Sequence, residues 1–406
     1  MRTSLAQGKV VAIAMVALCL CMPVHAQNAH AQNGRGFVVP EWKSSNEQIR
    51  LRVRARAIHD FYAISRDFEG TQNDTDISSD RLRAIRFGVD GQLSSTIRVR
   101  ADANLTNSQI NWSDVFLGHV DPKFEAYIGQ HYLSANLESV SRPVNALLPT
   151  PSLVTQAFDQ NVRNFGVVAR VKGANWQIIG GVFHGNINAG DIFGDDVQRY
   201  AQVRATYVMR QSENTLVHLG VNFRIRDAQN GPLLRYAARP ASMSFGERPL
   251  DSGFVARGDT TLAFETIIMR GPVVIIGEHH WLSADVSGGS AALAGGYLEA
   301  NWWLTGEGRR YSASSGNLNQ IRPKRSVVAG GYGAIGLVAR LDHVDQTDVR
   351  LGAGSGRVTA LSMGVSWVPV DYVTFRLATS LSRYRGAGPF GNSDARVLMG
   401  RAQFSF

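Results

Sequence analysis

The side chains with the most chemistry to offer are arginines spaced two apart. In I-R-L-R-V-R-A-R-A, beginning at Ile49, the residues Ile49, Leu51, Val53, Ala55 and Ala57 share one parity, and Arg50, Arg52, Arg54 and Arg56 share the other. At the two-residue period of a strand, this puts four guanidinium groups on one face. Such a face cannot be packed into an apolar core, because a buried unpaired charge is strongly unfavourable, so it must meet water. A guanidinium stays charged through the physiological pH range and presents forked donors to two oxygens of one anion. The chemistry on offer is therefore anion attraction rather than bond making. The pattern repeats nearby, where Arg98, Arg100, Asp102 and Asn104 stand opposite Ile97, Val99, Ala101 and Ala103. Between the two stretches lie Arg81, Arg83 and Arg86, whose parity slips once near Ile85 and predicts a β-bulge. Further on, Val217, Leu219, Val221, Phe223 and Ile225 are expected to point outward, with His218, Asn222, Arg224 and Arg226 inward. Arg204 and Arg376 extend the inward set.

Signals for catalysis are weak by comparison. Gly331-Tyr332-Gly333-Ala334-Ile335-Gly336 spells G-x-G-x-x-G, yet a dinucleotide site needs a helix to open at the last glycine, and V-A-R-L-D-H-V continues a strand instead. In Glu278-His279-His280 the two histidines fall on opposite faces of a strand, which prevents joint metal ligation and suggests a place near a barrel rim beside Trp281. Trp302, Trp303, Phe404 and Phe406 fit an interfacial aromatic girdle. No nucleophile and base pair or paired carboxylates stand out. No catalytic residue, cofactor, metal or nucleic-acid partner is expected.

These side chains need strands to carry them. About sixteen alternating segments run from residue 49 to the end, and the last, D-A-R-V-L-M-G-R-A-Q-F-S-F at 394–406, is apolar on one parity and mostly polar on the other. No segment with a helical period is available to cover the apolar faces. Closing the strands into a barrel whose apolar side meets lipid is the remaining arrangement, so residues 49–406 are expected to form an all-β, transmembrane, antiparallel β-barrel of about sixteen strands with a watery interior. Residues 1–26 carry Arg2 and Lys9, an apolar run too short to span a bilayer, and Val24-His25-Ala26, which together predict a secretory signal peptide. Residues 27–48, rich in Asn, Gln and Gly, are expected to be a flexible terminal segment. Cleavage would lower the formal charge of +9 to +7 and remove Cys19 and Cys21, the chain's two cysteines, leaving no thiol for disulfides or nucleophilic chemistry.

Residues 134–161 break the alternation and contain Pro143, Pro149 and Pro151. Their apolar pieces, V-N-A-L-L from Val144 and S-L-V from Ser152, suit a loop folded back into the barrel, where it would narrow the lumen. The later loops at 227–253 and 306–324 are basic, Gly-rich and short for adhesion.

R-L-R-A-I-R-F-G-V-D-G from Arg81, Y-I-G-Q-H-Y-L-S-A-N-L-E-S-V-S-R from Tyr127, R-N-F-G at 163–166 and A-N-W-W-L-T-G-E-G-R-R-Y at 300–311 occur in an order and spacing that resembles the phosphate- and polyphosphate-selective porin (porin O and P) family. The terminal Phe406 also looks like the assembly signal of outer-membrane proteins. The resemblance implies a sixteen-stranded, trimeric outer-membrane channel for small anions such as phosphate or polyphosphate, with a third loop forming a basic constriction. Carried over by position, Arg83, Asp102, Ser141 and Arg142 match its eyelet residues. Ala84 and Ser139 stand where family members often carry cations, so a general anion preference is what survives. Pore-lining candidates are then Arg52, Arg54, Arg83, Arg98, Arg100, Asp102, Ser141 and Arg142. The alternative is a barrel scaffold with an adhesive or enzymatic role.

Overall fold

The computed structural model describes residues 39–68, 75–106, 109–132, 136–141, 145–159, 163–189, 198–212, 215–228, 231–239, 248–387 and 391–406. The expected signal peptide and Arg142 lie outside the described residues. Alternation of apolar and polar residues produces strands β1 (Arg50–Phe68), β2 (Thr75–Gln92), β3 (Ile97–Thr106), β4 (Gln109–Val120), β5 (Phe124–Tyr132), β6 (Arg163–Lys172), β7 (Trp176–His184) and β8 (Arg199–Ser212). They continue as β9 (Thr215–Asp227), β10 (Leu250–Arg270), β11 (Val273–Val286), β12 (Gly289–Trp303), β13 (Ala334–Gln346), β14 (Gly356–Val370), β15 (Val373–Gly386) and β16 (Ser393–Ser405). Each pairs antiparallel with the next, and β16 closes the ring on β1, running from Arg56 opposite Ser405 to Phe68 opposite Ser393. The result is the closed sixteen-stranded barrel that the alternation predicts. Closure pairs the backbone of every strand with its neighbours, which is what lets a sheet sit in lipid.

Two local details show how the sequence shapes the wall. Gly271 takes φ +58° in the two-residue connection from β10 to β11, a conformation that costs glycine no Cβ clash. In β2, the partners of Ile58 and His59 are Ala84 and Leu82, so Arg83 is the extra residue of a bulge. The slip falls two residues before Ile85. Glu41–Lys43, within the segment expected to be flexible, pairs with the start of β1.

The outward parity is apolar and exposed: Leu219, Val221, Phe223 and Ile225 on β9, Leu361, Met363 and Val365 on β14, Leu377 and Leu381 on β15. Trp302 faces outward as expected of a girdle residue. Trp303 does not; it is buried with Leu147 and Leu148, because its parity points it at the loop inside. His279 is exposed beside Trp281, with ring centroids 4.4 Å apart, and His280 is buried inward near Phe158. Both stand midway along β11 rather than at a rim.

Two chain segments fill part of the interior. From the mouth opposite the chain's C-terminal end, the described part of 134–161 turns in and forms helices α1 (Leu137–Ser141) and α2 (Leu153–Phe158). Leu137, Leu153, Val154, Ala157 and Phe158 pack on inward-facing Ile276, Leu293, Tyr297 and Val344, so the inward fold expected of this loop is observed. Wall carboxylates hold it there. Glu278 accepts from the backbone N–H groups of Leu137 (2.8 Å) and Glu138 (3.2 Å), and Asp342 accepts from that of Leu153 (3.0 Å). Arg340 bonds Asp342 at 2.8 Å and donates to the carbonyls of Thr150 and Pro151, both at 3.2 Å. From the other mouth, residues 304–333 also enter the barrel as a short hairpin of Tyr311–Ser312 and Asn317–Leu318. The basic, Gly-rich loop at 306–324 is thus part of a segment that lies inside the barrel.

Candidate functional site

The two inward segments cover the sector of the wall made by β9 to β15. The inward residues of β9 show the consequence. Arg224 is buried in a pair with Asp159 of the loop, and Arg226 in a pair with Asp259, so neither faces open water. The space that remains lies off-centre, against β1 to β7, as a cavity of about 860 Å³.

Strand parity places the arginines of that sector in one lumen. β1 supplies Arg52, Arg54 and Arg56, β2 supplies Arg86, β3 supplies Arg98 and Arg100, and β6 supplies Arg163 and Arg170. Residues 304–333 add Arg310 and Arg322 from the facing side. Among the described residues, these ten arginines face three carboxylates on the same surface, Asp90, Asp114 and Glu125, so the lining is strongly positive despite pairing. The pairs set geometry as well as charge. Asp102 receives Arg54 at 2.7 Å, Asp90 receives Arg100 at 2.5 Å, and Asp114 receives Arg163 at 2.8 Å. Glu125 accepts from both Arg170 and Lys172 at 2.6 Å. Aromatic rings steady two of the guanidiniums: Arg100 lies 5.3 Å from the Phe116 centroid and Arg163 4.6 Å from that of Tyr132. Among the described residues, the buried Nε–H groups of Arg86, Arg100 and Arg170 find no acceptor and lie behind the lumen surface, so each guanidinium meets the passage through its terminal nitrogens.

Of the residues singled out in the sequence, Arg52, Arg54, Arg98 and Arg100 lie on this surface, with Asp102 behind Arg54. Arg83 is directed elsewhere by its bulge, donating to the Pro149 carbonyl at 3.2 Å and approaching Asp60 at 3.6 Å. Asp60 is also held by Arg401 at 2.6 Å, which ties β1, β16 and the loop together. Ser141 ends α1 and lines a smaller cavity of about 60 Å³ beneath the loop with Glu138, Glu299 and Arg309. Burial pushes the Arg309 guanidinium down to about 10, so it remains charged at neutral pH. Arg163 and Arg170 were missed, although the alternation V-V-A-R-V-K in β6 carries Arg170. Arg310 and Arg322 belong to the loop at 306–324, whose basic character is legible in the sequence, but without a period to it the direction of their side chains is not.

The inward carboxylates Glu138, Glu278, Glu299 and Asp342 are engaged around Arg340 and by the backbone of the inward loop. What the arrangement can do is hold a dense set of fixed positive charges along one side of the barrel's interior.

Known proteins share the barrel architecture. An uncharacterized protein of Caulobacter vibrioides is 26% identical over 328 residues, which are 77% of this chain and 64% of that protein. Among solved structures, outer-membrane expressed OmpT of Vibrio cholerae superimposes with a TM-score of 0.56 at 10% identity, covering 90% of this chain and all of that one. The anion-selective porin from Comamonas acidovorans gives 0.56 at 11% identity, covering 88% of this chain and all of the other. A trimer form of the Vibrio OmpT gives 0.52 at 11% identity over 88% of this chain and all of that one. At these identities the likeness establishes the fold. Residues 51–406, nearly the whole of the barrel, match the phosphate-selective porin O and P family, and the chain belongs to it as an outer-membrane β-barrel porin.

Proposed function

We propose that the protein is a passive, anion-preferring channel for small anions such as phosphate or polyphosphate, exported by cleavage of residues 1–26 and working as a homotrimer among outer-membrane lipids. The observation that carries the anion preference is the off-centre lumen, where ten arginines meet three carboxylates. A low-dielectric wall focuses their field into the passage, and rings of arginine or lysine are a general device of anion pores. The fold shared with an anion-selective porin and with a porin-like barrel in trimer form supports the reading. The paired arginines keep their forks in place, favouring oxyanions with two adjacent oxygens over monatomic ones. The test is the reversal potential of the purified protein in a planar bilayer under a potassium chloride gradient, followed by addition of phosphate. An anion-selective potential with chloride current blocked by phosphate is expected, whereas a cation-selective potential would overturn the proposal.

A further inference from the structure

The 304–333 segment does more than occupy space. Its hairpin tip is fastened to the wall, and its second strand is fastened to the loop that narrows the lumen. At the wall, Arg204 of β8 is gripped by Glu265 of β10 at 2.5 Å and donates onward to the carbonyls of Ser315 (3.3 Å) and Gly316 (2.7 Å). His218 of β9 bridges the same Glu265, at 2.8 Å, to the Tyr311 hydroxyl, at 2.5 Å. On the other side, Asn317 donates to the Val140 carbonyl at 2.7 Å. Asn145 donates back to the Leu318 carbonyl at 3.1 Å, and Arg309 donates to the Asn145 carbonyl at 2.8 Å. A continuous chain of polar contacts therefore runs from β10 through the hairpin to α1. It sits beside the passage, since Ser315, Asn317 and Gln320 all line the arginine cavity.

We propose that residues 304–333 act as a strut that sets the free cross-section of the pore, with Asn317 and Gly316 as its positioning residues. This rests on the reading of the off-centre lumen as the conducting path. Both α1 and α2 are only about a turn and a half long, and short helices do not hold their own position in water. The constriction loop needs bracing from outside itself. Its apolar side is held by the far wall, while the Val140 and Asn145 end, nearest the passage, is held by the strut. Gly316 takes φ +58°, a backbone conformation strained for any L side chain, and a β-carbon there would displace the end of the Gln177 side chain and stand 3.0 Å from Thr206 Oγ1, so glycine suits a tip seated this closely.

Single-channel recording of the full protein in planar bilayers tests this. Asn317→Ala and, by a different route, Gly316→Val should raise conductance by about twofold and add open-channel noise, while leaving the sign of the reversal potential unchanged because the arginines remain. Val140→Cys with Asn317→Cys gives the sole thiol pair once residues 1–26 are absent. Bridging them with a short bismaleimide should return conductance and noise to the parent's values. Unaltered conductance and noise in folded Asn317→Ala and Gly316→Val, or failure of the cysteine pair to bridge in the folded barrel, would overturn the strut. A purely structural role would appear as a lower unfolding temperature with parental conductance, which also counts against it. A parent protein that conducts no ions would instead defeat the channel reading on which the strut rests.

Discussion

Arg98 and Arg54 occupy the same surface but should answer mutation differently. Arg54 is paired with Asp102, whose side chain is 1% exposed, and losing the guanidinium would leave that carboxylate buried without its counter-charge. Removing one partner of a buried pair costs about 3–5 kcal/mol, and the partial exposure of Arg54 places this case below that range, at roughly 2 kcal/mol. Arg54→Gln should therefore lower thermal stability and weaken anion preference together, and Arg54→Gln with Asp102→Asn should recover much of the stability. Thermal melts followed by circular dichroism, with reversal potentials on the same samples, check both halves. Arg98→Glu should shift the reversal potential toward cations with little change in melting. If the lining as a whole contributes about 1.4 kcal/mol of differential potential, selectivity is near tenfold, and reversing one charge should remove a readily measured part of it.

Among the elements, α1 depends on a residue far away in sequence. Glu278 of β11 accepts its first two N–H groups, playing the part that an N-cap side chain plays in an ordinary helix. Replacing a helix cap costs about 1 kcal/mol, so Glu278→Ala should loosen the inward loop without unfolding the barrel. Limited proteolysis should then cut within 134–161 faster than in the parent, and channel noise should rise. Equal cutting rates would show that the apolar face, Asp342, Arg340 and Asn317 hold the loop without Glu278. The bulge in β2 is a second case of an element setting a side chain's role. It turns Arg83 toward Pro149, which makes that arginine a brace of the loop in this structure.

For the whole molecule, the decisive feature is closure. Phe406 completes it by exchanging two backbone hydrogen bonds with Ala55, at 3.0 and 3.3 Å, beyond the last residue of β16. Deleting Phe406 removes both and should reduce the yield of heat-modifiable barrel on semi-native electrophoresis, while the parent should migrate faster unheated than boiled. Selectivity is also a property of the whole, because it comes from a summed field. The Debye length falls from about 10 Å at 0.1 M salt to about 3 Å at 1 M, so anion preference should decline steeply across that range. Selectivity independent of salt would mean that discrimination arises from close contact at a binding site and not from the field of the lumen.

The sequence by itself determined which face of each strand meets lipid, because a two-residue period admits one assignment once no helix is present to cover the apolar side. Within Thr215–Asp227 the alternation places Leu219, Val221, Phe223 and Ile225 outward, and all four are exposed on that face. It also announced the inward loop at 134–161, since Leu147, Leu148, Leu153 and Val154 had to be buried and could be buried only inside. Parity alone could not say what an inward side chain would face. Arg224 and Arg52 read alike in the sequence, yet one lies under α2 against Asp159 and the other lines the lumen. That difference depends on which sector the two inward segments cover, and their course is set by contacts with Glu278, Asp342, Arg204 and His218 from distant strands. Residues 304–333 have no period that could announce them. Only the closed barrel brings their hairpin to the wall on one side and to Val140 on the other, and so decides where the passage runs.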